Sequence, residues 1–164
     1  MKRFLKLGVI TTGLAVVASS FIHPYGPVKT ARSSAPLMAG AGATSEVAGI
    51  FERSCQNCHS ERTEWPWYSY VAPLSWLIEG DVHNGRSHMN LSDWGAYTEE
   101  QQVELLTKMG VDVRNHRMPL PQYLKLHPQA RLSDDDVVRL YTWAQNERRE
   151  VKAAIRSRSE ASPD

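Results

Sequence analysis

Residues 55 to 59 read Cys-Gln-Asn-Cys-His, and they hold the only two cysteines of a 164-residue chain. Two thiols three positions apart, followed at once by an imidazole, form the C-x-x-C-H pattern of c-type haem attachment. The spacing has a chemical reason. Cys55 and Cys58 can reach the two vinyl groups of one haem as thioethers, and His59 then places its imidazole beneath the iron as proximal ligand. Three other uses of the pair remain open. A thioredoxin-like redox pair needs a preceding strand in a βαβ setting, which the sequence does not offer. A zinc site needs two more ligands at short spacing, and there is no second C-x-x-C. A structural disulfide gives His59 no role.

The N-terminus reads as a targeting segment. Lys2, Arg3 and Lys6 precede an uncharged run from Leu7 to Ile22, the layout of a secretory signal peptide. Sixteen residues of helix reach roughly 24 Å, short of a hydrocarbon core of about 30 Å. Residues 1–22 are therefore expected to be a cleaved signal or a retained N-terminal anchor, and the remainder to be exported to the periplasm or cell envelope. Residues 23–45, rich in Pro, Gly, Ala and Ser, read as a flexible linker. A folded domain is expected over 46–151, and 152–164 as a charged C-terminal tail. The formal charge is +1, with 19 basic against 18 acidic residues. Without Lys2, Arg3 and Lys6 it is about −2, which gives no support to nucleic-acid binding.

Four helices can be placed in the domain. The first follows Thr44 or Ser45 with Glu46 in its first turn and Val47, Ile50, Phe51 and Cys58 at helical spacing. The second follows Pro73, carries Leu74, Leu77, Ile78 and Val82, and is expected to stop at Gly85. The third is capped by Thr98 with Gln101 at the box position, carries Val103, Leu106 and Val113, and ends or bends at Gly110. The fourth opens at Ser133 with Asp136 at the box position and buries Val137, Leu140, Tyr141 and Ala144. No segment alternates over strand length. The fold expected is all-α, a cytochrome c-like helical domain with long loops packed around the haem.

A sixth iron ligand has several candidates: Met38, Met89, Met109, Met118, His83, His88, His116 and His127. Met118 is favoured because Pro119 and Pro121 stiffen the loop that presents it, and His116 is second. Methionine is more often core filler, and the sixth position can also stay open. Trp65, Trp67, Tyr68, Tyr70, Trp76 and Trp94 serve either as core or as the wall of a haem pocket. Arg86 could pair with a haem propionate or simply face solvent.

These residues fall in an order that resembles a small bacterial haem-binding domain family of c-type cytochromes. The features are Cys55, Cys58, His59 and Ser60; then Thr63, Pro66, Trp67 and Tyr68; then Pro73 and Trp76. They continue with Asp81, Val82, Gly85 and Arg86; with Asn90, Ser92 and Trp94; and with Met118, Pro119, Tyr123, His127 and Pro128. The resemblance covers roughly 47 to 146 and departs at Leu120, where the pattern commonly has a second proline. It implies a monohaem c-type fold in the cell envelope, and it implies no particular substrate.

Two function classes follow. A His/Met haem has no vacant position and exchanges single electrons with a redox partner protein in the periplasm or membrane. A haem enzyme or small-ligand sensor, peroxidase-like or gas-binding, needs an open sixth position and distal polar groups such as Arg86, His83 or His88. Whether Met118 reaches the iron separates the two, and electron transfer is the expectation.

Overall fold

Capping chemistry sets the helix boundaries. The computed structural model describes residues 2–26 and 36–161, and among them there is no strand. The helices are α1 (Lys2–Ser19), α2 (Ser45–Ser54), α3 (Gln56–His59), α4 (Leu74–His88), α5 (Glu99–Arg114), α6 (Pro121–Leu126) and α7 (Asp134–Ala161). Short 3-10 turns at Trp67–Tyr70, Leu91–Ala96 and Pro128–Ala130 link them. The fold is all-α, as expected of a cytochrome c-like helical domain.

The expected caps form. Thr44 accepts from the Val47 amide at the start of α2, and Thr98 and Gln101 close a reciprocal box on α5. At α7 the Ser133 amide donates to Asp136 Oδ2 at 2.9 Å, while the Asp136 amide donates to Ser133 Oγ at 3.1 Å. Each such cap satisfies amides that have no partner inside the helix. Arg53 of α2 donates to the same Asp136 carboxylate at 2.8 Å, which ties α2 to the start of α7.

The core lies among α2, α5, α7 and the Leu91–Ala96 turn. Val47, Ile50 and Phe51 meet Leu91 and Trp94, Leu106, Met109 and Val113, and Leu140, Trp143 and Ala144. Phe51 and Trp143 meet edge to face at 5.3 Å, a favoured aromatic geometry. Gly110 does not end α5. It lies inside the helix, where a Cβ would sit 3.4 Å from the Tyr141 ring of α7.

Three expected boundaries are corrected. The segment expected as linker over 23–45 is partly core: Met38 is 1 % exposed, and its amide donates to the Leu91 carbonyl at 2.7 Å. Trp143 Nε1 donates to the Gly42 carbonyl at 3.1 Å, and the Gly42 amide donates to Glu147. This segment packs through its backbone and one anchoring side chain, so it has no periodicity to read; residues 27–35 lie outside the described residues. The charged tail expected over 152–164 is, as far as Ala161, a continuation of α7, since its Lys, Arg, Ala and Glu all favour helix. Arg158 pairs with Glu99 of α5 there. Third, α4 runs past Gly85 to His88.

α1 is exposed nearly throughout. Its 18 residues would extend about 27 Å. No described helix is long and apolar enough to cross a membrane.

Candidate haem site

The motif occupies a break between two helices. Cys55 leaves helical geometry at φ −121° and ends α2 by donating to the Phe51 carbonyl. Its own carbonyl then accepts from the amides of Cys58 and His59, which starts the single turn of α3. The kink leaves Cys55 packed against the core, carries Cys58 off the stripe of α2 that was expected to include it, and turns α3 onto α4.

His59 is fixed by the ring nitrogen nearer its backbone. Its Nδ1 lies 3.0 Å from the Met89 carbonyl at the C-cap of α4. A carbonyl only accepts, so Nδ1 carries the proton and Nε2 keeps a free lone pair. Burial lowers the pKa of the imidazole below its usual value, against the opposing effect of hydrogen bonds with the Met89 and Gly85 backbone. The ring is therefore neutral at pH 7, the form in which imidazole binds a metal.

The thiols are unbonded to each other. Burial, then the neighbouring Cys58, pushes Cys55 up to about 12 despite Arg53. Burial, then Asp81, pushes Cys58 up to about 11 despite Arg86. A thiol–disulfide catalyst has its reactive thiol shifted the other way, so the redox-pair reading loses its chemical basis. For zinc, no group of three or more His, Cys, Asp and Glu side chains that could hold a metal ion occurs among the described residues.

α4 carries the motif. At Gly85 a Cβ would come within 2.4 Å of the Cys58 carbonyl oxygen, so glycine lets the two backbones touch. The next residue, Arg86, donates from Nε to the Ser60 carbonyl at 2.9 Å and from Nη2 to Thr63 Oγ1 at 2.9 Å. Its Nη1 lies 3.0 Å from Glu61. Thr63 Oγ1 in turn donates to the Asn57 carbonyl at 2.7 Å. Asn90 and Ser92 complete the frame by holding the Glu61 carboxylate and the Glu61 amide. Arg86, for which a propionate or solvent was open, clamps the loop that follows the motif.

A cleft of about 100 Å³ opens beside Cys58, lined by Leu74, Leu77, Ile78 and Val82 of α4 and by Tyr123 and Leu126 of α6. Leu74, Leu77 and Leu126 are exposed, so the apolar face of α4 lies open along the cleft. One wall is polar and connected. Asn57 Nδ2 donates to Tyr123 Oη at 2.9 Å, the Tyr123 ring stacks on His127 at 4.2 Å, and His127 Nε2 lies 2.7 Å from Tyr68 Oη. Spacing alone did not single out this cluster, because its members come from three separate segments; the family-like ordering had marked Tyr68, Tyr123 and His127 without giving them a role.

The other expected site residues stand apart from the cleft. Trp67 is 78 % exposed and touches Tyr68 edge to face. Met118 lines a second concavity of about 320 Å³ with His116, Pro121 and Leu124, on the opposite face of α6 from Tyr123 and Leu126. Met38 and Met109 belong to the core and Met89 packs against it. That leaves Met118, 36 % exposed, as the one internal methionine not committed to packing.

The donor chemistry fits haem: two protonated thiols, a neutral imidazole with Nε2 free, and uncovered leucines beside Cys58. Cys55, Cys58 and His59 would hold the group, with Leu74, Leu77, Ile78 and Leu126 packing on it. The sequence profile of the haem-binding domain family matches residues 14–146. The chain is also 24 % identical over 155 residues to the cytochrome c peroxidase Ccp of Escherichia coli (strain K12), an alignment covering 89 % of this chain and 33 % of that protein. It thus spans about a third of the length of that relative. No solved structure matches. Motif geometry and a profile match over most of its length agree that this chain belongs to the haem-binding domain family.

Proposed function

We propose that the chain is a monohaem c-type cytochrome that passes single electrons in the cell envelope. The observation that carries this is the His59 Nδ1–Met89 hydrogen bond, which leaves Nε2 unengaged in a residue directly following Cys58. When bound, haem supplies reversible one-electron exchange between its ferric and ferrous states. Cys55 and Cys58 would hold the group as thioethers, each thiol giving its sulfur to one carbon of a vinyl group and its hydrogen to the other, with no net oxidation or reduction. The proton on Nδ1 stays with the Met89 carbonyl, which fixes the imidazole plane and raises its basicity as a ligand. Arg86, Thr63 and Gly85 hold the motif rigid, so the two thioethers and the imidazole act as one unit. Met118 is the proposed sixth ligand, since the other three internal methionines are packed into or against the core. The basic and apolar N-terminal segment supports export to the periplasm, with a redox protein there or in the membrane as partner.

A peroxidase-like role is the second reading. The name of the E. coli relative favours it, and so does the placement of Met118 across α6 from Cys58, which would leave the sixth position open.

The test is the visible spectrum of the protein matured in an exporting host, with a pyridine haemochrome of the same sample. A c-type haemochrome, sharp low-spin bands and a far-red sulfur–iron band that Met118→Ala removes are expected. High-spin bands that shift with carbon monoxide or peroxide establish the second reading. Absence of haem after maturation overturns both.

A further inference from the structure

The seven residues after α1 are seated on α4. Ser20 Oγ accepts from the Ala72 amide at 3.0 Å, and Trp76 Nε1 donates to the Ile22 carbonyl at 2.8 Å. His23 Nδ1 lies 2.7 Å from Oε1 of the buried Glu79. The Tyr25 ring covers Gly80, where a Cβ would come within 3.1 Å of it, and lies 5.5 Å from the ring of His83.

The order of these contacts gives a direction. As the strap advances through 20, 22, 23 and 25, its partners advance through 72, 76, 79 and 80–83. The strap therefore runs parallel to α4, beginning at the N-terminal end of that helix. α1 precedes the strap, so it joins the domain at that end. The strap takes the Trp76–Glu79–His83 face of α4, while the cleft takes the Leu74–Leu77–Asp81 face, so the two do not compete.

The same end carries a group of uncovered apolar side chains. The Trp67–Tyr70 turn and Val71 lead into α4, and Ser20 bonds Ala72 beside them; Trp67 is 78 % and Phe21 79 % exposed, and Ile22, Tyr70 and Val71 are exposed too. None of the five lines the cleft beside Cys58. Tryptophan and tyrosine favour the membrane–water interface, and the exposed leucines and valines of α1 favour lipid.

We infer that this end of the domain rests on a lipid bilayer: α1 is retained as an anchor in the lipid, and Trp67, Tyr70, Val71, Phe21 and Ile22 sit at its interface. The strap couples anchor to domain, so the Leu74 end of the cleft is held toward the bilayer. The inference extends the proposed envelope location and does not depend on haem attachment.

The test uses the full chain matured in an exporting host and mixed with vesicles of phosphatidylcholine and phosphatidylglycerol whose acyl chains carry a diazirine. After photolysis, mass spectrometry is expected to find residues 1–19 intact and lipid adducts at Phe21–Ile22 and Trp67–Val71. Val111 and Val138, exposed apolar residues elsewhere, serve as controls and are expected to label at least fivefold less. Tyr25→Ala is expected to keep flotation with vesicles through α1 while labelling at 67–71 falls severalfold. Removal of residues 1–19 during export, equal labelling of the controls, or unchanged labelling in Tyr25→Ala overturns the inference. Visible absorbance of the same samples reports haem: its absence with the labelling pattern intact overturns the c-type reading and leaves this one standing.

Discussion

Single atoms decide how the motif is held. The Gly85 hydrogen is replaced by a methyl group in Gly85→Ala, and that methyl would sit 2.4 Å from the Cys58 carbonyl oxygen. The obstacle is backbone, which cannot swing aside as a side chain would. We expect Gly85→Ala to lose about 1–3 kcal/mol of stability, the usual cost of overpacking, and to lower haem incorporation; thermal melts and the ratio of haem to protein absorbance check this. Arg86 offers a second test at this scale. Lysine keeps the charge but cannot reproduce the fork that reaches Ser60, Thr63 and Glu61. Arg86→Lys should destabilise the protein by roughly 1–3 kcal/mol through unsatisfied partners. Its reduction potential should change little, because the charge is retained. A large shift in potential with unchanged stability would place Arg86 at a propionate instead.

At the scale of elements, the start of α7 joins local and long-range forces. Burial alone would raise the Asp136 pKa, but hydrogen bonds from the Ser133 backbone and hydroxyl, with the Arg53 pair, lower it below the usual carboxylate value. A depressed native pKa stabilises the fold above the unfolded-state value of about 3.9, and that contribution is lost as pH falls through the lower native value. Asp136→Asn should therefore cost about 0.5–1 kcal/mol at pH 7, near the low end for a cap. The gap from wild type should close as the pH drops below 3.9. Urea unfolding of both proteins across pH 2.5 to 7 measures it, and a pH-independent difference would show that the carboxylate charge is irrelevant. Helix boundaries elsewhere follow the same logic. Thr44, Thr98 and Ser133 were readable as caps because capping is local chemistry. Gly85 was expected to stop α4 and Gly110 to end or bend α5, because glycine inside a helix marks close approach of a second element only once that element is in place.

Across the whole molecule, the core and the cleft are built from different residues, with Cys55 and Met89 packed where the motif meets the core. The core of Phe51, Leu106, Leu140 and Trp143 shares no residue with the cleft beside Cys58. A chain unable to attach haem should therefore keep most of its helices. Cys55→Ser with Cys58→Ser is expected to retain the far-ultraviolet circular dichroism of a helical protein and a cooperative melt. The melt should come at lower temperature than in the haem-bound form, since a group bound only by the native state stabilises it. A random-coil spectrum would show that haem, rather than the α2–α5–α7 core, organises the fold.

The sequence by itself determined the chemistry and the repeating structure. C-x-x-C-H names a haem ligand set at adjacent positions, and caps with periodic apolar residues name the four main helices, because both depend on neighbours within a few residues. Only the tertiary structure decided what pairs across distance. It buried Met38 from a segment read as linker, committed Arg86 to the motif loop, and gathered Asn57, Tyr68, Tyr123 and His127 on one wall. It also set Met118 on the far face of α6 and laid the residues after α1 along α4. Most of those contacts join positions tens of residues apart, some through backbone carbonyls and amides that every residue possesses and some through side chains whose partners lie in other segments, and so no local pattern of side chains could announce them.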